Sequence, residues 1–432
     1  MDLAALKQTI DQATAALSSI SNDIDEHTRT ELHKSCQKLS ASLETPDERL
    51  LRNCSGYIEA TMIKLVLDTG IVGVFNEQLP GDEEVDAREI AQRTGLDYAL
   101  TGRILRYLVA LGVVEVTAQG RCRALPVAKS LVPGTVVHDT VLIVSGLYVP
   151  LFAHLPSYLR QNNYHVSENG YNGLFQHTMK TDLHFFDWLQ AHKPEHDAFH
   201  RMMEGSASSK DKSAWTDYIG REWFDCHLPS AGGKDFMFVD VGGSYGHELQ
   251  AFMRRFPHLR GRFILQDLAV EKNGSQAEVV GDDADVKGSK CDGEHCRQPR
   301  PIEKMAHNFF DPQPILGADI YLLARILHDW PDEQAKVILR RIREAMSGSS
   351  TLFIFDRVFS DGMEKVSHID AVYDALMLAL FSSLERSESL FAGLLAEVGL
   401  RLVRVWRVSE GIADSQAVLE VVRDGVLQRK AN

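Results

Sequence analysis

The chain has 432 residues, 44% hydrophobic and 25% charged, which is the composition of a globular protein with room for two or three domains. Its formal net charge of −14 argues against nucleic acid as a main partner, because binding it needs concentrated Lys and Arg. Six scattered cysteines suit a reducing, cytoplasmic setting, and neither a signal peptide nor an uninterrupted apolar run of membrane-spanning length is expected.

Residues 1–45 place Leu3, Leu6, Ile10, Ala13, Leu17, Ile20 and Ile24 at alternating spacings of three and four. That pattern predicts a helix with a narrow apolar seam. Such a seam needs a cover, either the body of the same chain or a second copy. Residues 46–145 read as short helices followed by a small hairpin. A helix–turn–helix is expected over 90–96 and 101–111, and a β-wing over 113–116 and 121–124 around Gly120. The wing invites a DNA reading. Segment 51–140 holds nine Lys and Arg against eleven Asp and Glu, so a structural or dimerising role is expected instead.

Residues 146–230 are helical and rich in aromatics, with Phe175, Phe185, Phe186, Trp188, Phe199, Trp215, Trp223 and Phe224. Aromatics at helical spacing usually build core. A segment between a dimerising part and a cofactor-binding part can also line a substrate cavity. Residues 231–432 alternate strands and helices, which predicts an α/β fold with an open, mostly parallel sheet. Strands are expected over 236–241, 262–266, 318–323, 351–355, 402–406 and 417–422. The acidic, Gly- and Ser-rich stretch 271–301 reads as a long loop. Cys291 and Cys296 lie off the usual CxxC spacing with no second ligand pair, so no metal is expected.

Two stretches carry chemistry. The first, Asp240-Val241-Gly242-Gly243-Ser244-Tyr245-Gly246, ends a strand and opens a helix. Glycines let the backbone turn tightly and approach a ligand, and a helix start offers unpaired N–H groups. Asp267, followed by Leu268, stands at the tip of the next strand, where dinucleotide folds bind ribose hydroxyls. The loop lacks the full G-x-G-x-x-G, and Asp240 at its mouth would repel a diphosphate but tolerate an amino group. The second stretch is Ile326-Leu327-His328-Asp329-Trp330, just after the apolar run 320–323. A histidine at the carboxyl end of a buried strand sits where such sheets bind ligands, with a proton switch near neutral pH.

With these residues the chain resembles the plant- and fungal-type small-molecule O-methyltransferases over residues 50–425, fungal secondary-metabolism members most of all. The likeness rests on the glycine loop, on 306–314 before a Gly317-Ala318-Asp319 strand start, on His328-Asp329-Trp330, and on Leu384-Glu385-Arg386-Ser387 near a helix bearing Met377. It implies a winged-helix-like dimerisation domain, a Rossmann-like domain binding S-adenosylmethionine, and a homodimer acting on a small molecule. It implies Gly242 and Gly243 under the methionine part of the donor and Asp267 on its ribose. Asn308 and Phe309 would lie by the adenine and Arg325 at the donor's edge. Neutral His328 would be the general base, oriented by Asp356 and Glu385, with Asp329, Trp330 and Met377 in the substrate pocket. Asn308 stands where the family commonly has Asp, and Ser382-Ser383 where Gly-Gly is common. Some fungal relatives cyclise their substrates with the donor bound but not consumed, so a pericyclase is the alternative reading. The presence of His328, Asp356 and Glu385 together favours methyl transfer.

Overall fold

The computed structural model describes residues 2–19, 24–76, 84–207, 214–228, 236–268, 301–362, 366–407 and 415–425. The Cys291–Cys296 pair and most of the long loop lie outside them. Seam residues Leu3, Leu6, Ile10, Ala13 and Leu17 lie on a helix, Leu3–Ser19, Ile20 lies outside the described residues, and a second helix, Glu26–Leu43, is capped by Asp25, which accepts from Thr28 N. Neither helix is buried within this chain, and Leu3 is 72% exposed. A third helix, Pro46–Asp68, starts earlier and runs longer than the sequence pattern indicates. Thr45 and Glu48 close a capping box on it and Pro46 occupies its first turn.

Helices Ala87–Thr94 and Tyr98–Ala110 form the expected helix–turn–helix. The wing pairs β1 (Val114–Val116) antiparallel with β2 (Cys122–Ala124), and Val85 adds a bridge to Cys122. Val66, Ile71, Val85, Ile90, Ile104, Leu108 and Val114 fill a core of their own under this unit.

Residues Val136–Gln161 form one helical run of 26 residues, interrupted by a π turn at Val144–Tyr148. By length and composition alone it is apolar enough to cross a membrane, contrary to the sequence expectation. Asp139 and two prolines break the apolar run in the sequence but not the helix. Within the fold its Ile143, Leu147 and Leu151 are buried against Phe175, Phe185 and Trp188, and buried Asp139 is paired with Arg201 at 2.5 Å. Those contacts bury one stripe of the helix, while most of its residues stay half-buried or exposed.

The C-terminal half is a three-layer α/β unit. Its strands are β3 (Phe236–Val241), β4 (Gly261–Asp267), β5 (Ile302–Ala306), β6 (Ile320–Ala324), β7 (Thr351–Phe359), the short β8 (Arg386–Ser387), β9 (Leu400–Trp406) and β10 (Gln416–Arg423). Their order is β5-β4-β3-β6-β7-β10-β9, with β8 beside the end of β7. Strands β3 to β7 run parallel, whereas β10 is antiparallel to both neighbours. The sheet is therefore mixed. Successive connections leave β3 in opposite directions, which opens a crevice beyond the carboxyl ends of β3 and β6. One face packs on helices Asp332–Ala345 and Glu388–Glu397. The other buries Trp215, Trp223 and Phe224 against Phe238, Phe252 and Phe353. Those three aromatics, grouped in the sequence with the substrate-pocket segment, thus serve the sheet, and Trp223 Nε1 donates to Glu420 on β10 at 2.8 Å.

Candidate active site

The glycine loop leaves β3 into helix His247–Arg255 at the crevice. Gly242 has φ +72° and a Cβ there would lie 2.8 Å from Ile326 Cδ1 and 3.4 Å from the Phe309 ring. Only glycine meets both demands. Ser244 N donates to Asp267 Oδ2 at 2.9 Å, which brings the tip of β4 onto the loop. Leu268 follows it, 55% exposed. Phe309 packs edge-on to Phe310 and Trp330. Asn308 Oδ1 accepts from Phe310 N at 3.0 Å. Arg325 takes a left-handed backbone, φ +56°, and places its guanidinium on Glu248 at 2.9 Å and over the Phe355 ring. Gly242, Gly243, Asp267, Asn308, Phe309 and Arg325 therefore surround one crevice.

Asp240 is placed differently. Its carboxyl lies behind the loop against Gly243, fully buried, and neither oxygen has a hydrogen-bond partner among the described residues. Burial foremost, then the negative Glu248, pushes its pKa up to about 8. It acts on the crevice from beneath rather than as an exposed anion. The folded-state pKa lies above the ordinary 3.8, so folding favours the protonated acid. Stability is then fullest below that lower value, falls as pH rises toward about 8, and stays reduced above it. Asp240→Asn is expected to raise Tm at pH 9 by on the order of 5 °C and to leave it nearly unchanged at pH 4, read by scanning calorimetry.

His328 sits in a short 3-10 turn, Leu327–Asp329, after β6. Its Nδ1 lies 3.1 Å from Glu385 Oε1 and 3.9 Å from Asp356 Oδ1, and its Nε2 lies 3.6 Å from Asp329 Oδ1. Glu385, not Asp356, therefore makes the orienting hydrogen bond. Both oxygens of Asp356 and Oε2 of Glu385 are buried without a partner among the described residues. Burial alone would lower the His328 pKa, but the charges of Asp329, Asp356 and Glu385 outweigh it and lift the value to about 10. Burial raises Asp329 to about 7 and Asp356 to about 6, with His328 pulling both back. These groups share protons as one unit. The three carboxylates favour the imidazolium, whereas the sequence reading takes His328 as a neutral base.

Two residues to which the sequence pattern assigns no role hold this arrangement. Arg386, 1% exposed, donates to Leu327 O at 2.6 Å, Trp330 O at 2.7 Å and Asp332 Oδ1 at 2.8 Å, tying the His328 turn on both sides. Asp374 Oδ1 accepts from Glu385 N at 2.8 Å. The only sequence signal for Arg386 is its place next to Glu385. Ser382 caps helix His368–Phe381 with φ +55°, a conformation that explains why glycine is common there. A Cβ on Gly173 would lie 2.1 Å from Ser382 Oγ, so the missing side chain opposite makes room for this serine. Met377 is buried on the same helix. Trp330 is 5% exposed and its indole stacks on His184 at 4.3 Å, so most of its surface is taken up by packing.

A family profile described as O-methyltransferase domain matches residues 235–401. The O-methyltransferase mfmE of Annulohypoxylon moriforme is 31% identical over 423 residues, covering 97% of this chain and 96% of that protein. Demethylsterigmatocystin 6-O-methyltransferase of Aspergillus parasiticus is 28% identical, covering 82% of this chain and 83% of its own length. Among solved structures, LepI in complex with SAM superposes with a TM-score of 0.72 at 24% identity, covering 98% of this chain and 99% of LepI.

Proposed function

Because the chain belongs to the O-methyltransferase family, we propose that it transfers the methyl group of S-adenosylmethionine to a phenolic or enolic hydroxyl of a fungal secondary metabolite, with His328 as general base. The observation that carries this is the Glu385-held imidazole at the crevice, 3.1 Å from its carboxylate.

The residues of the crevice fit that donor. The close approach at Gly242 suits the methionine part, Asp267 suits the ribose hydroxyls, and the Phe309 ring offers a face to adenine. When bound, the donor supplies a sulfonium methyl open to in-line displacement. Holding reacting groups in line is worth much of the barrier, and the loop, Phe309 and the His328 turn provide that positioning. Asn308 already spends Oδ1 on Phe310 N. An aspartate there would keep that contact and add a second acceptor oxygen for the adenine amino group. Asn308→Asp is expected to tighten donor binding roughly threefold to tenfold, measured by calorimetric titration.

The proton leaves the acceptor hydroxyl for His328 Nε2. A phenol has a pKa near ~10, and the carboxylates lift His328 to about 10. The raised basicity favours the transfer, and Glu385, Asp356 and Asp329 stabilise the imidazolium that results. Protein incubated with labelled S-adenosylmethionine and a panel of phenolic acceptors is expected to release S-adenosylhomocysteine in step with methylated product. Conversion of an acceptor without that release would overturn the reading. One observation favours a second reading: the carboxylates of Glu385, Asp329 and Asp356, 3.1, 3.6 and 3.9 Å from the His328 ring, favour an imidazolium, a hydrogen-bond donor suited to a carbonyl in a cyclisation that consumes no donor. The same assay separates the two.

The uncovered seam of helix Leu3–Ser19 supports a homodimer in which a second copy covers it. Light scattering on the purified protein is expected to give twice the chain mass. The exposed free thiols of Cys36, Cys54 and Cys226 fit a cytoplasmic location.

A further inference from the structure

Glu385 Oε1 meets a second basic group besides His328. Arg357, on β7 one position past Asp356, brings Nε to 4.0 Å from the same oxygen that holds His328 Nδ1 at 3.1 Å. The Arg357 side chain is 12% exposed and that of Glu385 is fully buried, so water screens the pair little. Further contacts fix the guanidinium there. Nη1 donates to Asp370 Oδ1 at 2.8 Å, and the central carbon lies over the Tyr373 ring, 3.9 Å from its centre. Asp370 in turn accepts from Ser367 Oγ and Ser415 Oγ, each at 2.7 Å. A planar guanidinium can stack and serve two carboxylates at once, which an ammonium cannot.

We propose that Arg357 is a positioning residue that sets the basicity of His328 through Glu385, its charge drawing on the oxygen that holds the imidazole. This rests on the reading of His328 as general base and adds the group that tunes it. A base that binds its proton too tightly is already occupied at working pH. Carboxylates crowd His328 from three elements: Asp329 in its own turn, Asp356 from β7 and Glu385 just ahead of β8. Asp374, on helix His368–Phe381, accepts the backbone N–H of Glu385. Tyr148 lies in the field of Asp329, and burial keeps it a neutral phenol. Two other cations act on Asp356 but are engaged elsewhere. Arg386 holds Leu327 O, Trp330 O and Asp332, and Arg325 pairs with Glu248. Of these cations Arg357 is the one beside Glu385 Oε1, where it offsets part of the negative charge that retains the proton.

The titration of His328 itself tests this, in protein whose histidines carry carbon-13 at Cε1. The His328 resonance is the one lost in His328→Gln, and it is followed from pH 6 to 11. Arg357→Gln is expected to move its midpoint up by about one pH unit, a tenfold tighter hold on the proton. Asp370→Asn removes a negative charge and leaves Arg357 to Glu385, so its midpoint is expected to move down. Loosened packing would displace both variants in the same direction, and opposite signs therefore separate charge from structure. Arg357→Lys keeps the charge without the stacked plane and should fall between wild type and Arg357→Gln. A midpoint that stays or falls in Arg357→Gln overturns the proposal, as does one that stays or rises in Asp370→Asn. Where Arg357→Gln fails to fold, Asp370→Asn decides. A wild-type His328 that does not titrate in that range overturns the proposal too. The titration uses neither donor nor acceptor, so a lack of methyl transfer would count against the methyltransferase reading and leave this result standing.

Discussion

His328→Ala is expected to lower kcat by roughly 10²–10⁴-fold, the range a positioned general base contributes. Donor affinity should be nearly untouched, because the groups placed around the donor come from the glycine loop, β4 and the 306–310 segment. The pH profile gives the sharper result. A base must be unprotonated to act, and the three carboxylates around His328 hold its proton to about pH 10. Wild-type kcat/KM is therefore expected to rise with pH throughout the neutral range and to level only near that value. In Glu385→Gln one of the three negative charges, the one hydrogen-bonded to the ring, is gone, so the His328 pKa falls and the rising limb moves to lower pH. Steady-state rates from pH 6 to 10.5 read both effects. A wild-type profile that is flat across that range would remove His328 from the proton-transfer step. The same shift has a stability side. A histidine pKa raised on folding contributes stability in full below its ordinary 6.5, and the contribution is lost as pH rises through about 10.

Arg386→Leu is expected to destabilise the fold by about 3–5 kcal/mol, the loss seen when one partner of a buried charged network is removed. The guanidinium satisfies two backbone carbonyls, Leu327 O and Trp330 O, on either side of His328 and also holds Asp332. Leucine fills the space but leaves Trp330 O unpaired, at roughly 1–3 kcal/mol, and Leu327 O with only the 3.3 Å bond from Trp330 N. Arg386→Lys keeps the charge but not the planar fork, so it should lie between wild type and Arg386→Leu. Urea unfolding gives the stability term, and kcat of the folded fraction gives the catalytic one. Because the turn that carries His328 loosens, kcat should fall even where the protein remains folded. An Arg386→Leu protein with wild-type kcat would show that the turn holds His328 without this staple.

The glycine loop, β3, β6 and β7 were legible because buried parallel strands read as apolar runs such as Phe236 to Val239 and Ile320 to Leu323. Strand β5 was not, because Ile302-Glu303-Lys304-Met305-Ala306 is an edge strand whose adjacent Glu303 and Lys304 put a charge on each face and break both an apolar run and an alternation. The antiparallel setting of β10 has no local signature at all, since its direction is decided by the partners it finds. In the site, His328 stood out from sequence position alone. Asp356 and Glu385 lie 28 and 57 positions away, and only resemblance to a family joined them to it. Neither the proton kept on His328 nor the role of Arg386 can be read from a linear pattern. Both depend on how many carboxylates and carbonyls converge on a point once β7, β8 and the 327–332 turn are packed together.

The inward position of β10 bears on how the chain is made. Among the described residues it is the final strand of the sheet in sequence, yet it lies between β7 and β9, with six residue pairs to each. No intermediate length of nascent chain can complete the sheet. At about 5–20 residues per second, synthesis of the strands from β3 to β10 occupies roughly 10–40 s. During that interval the helical half is already outside the ribosome, with the apolar surface that the finished sheet and the 368–381 helix will cover still open to water. Cells producing this protein should depend on chaperone capture of that half, and a stop codon placed just before residue 416 should yield insoluble chain.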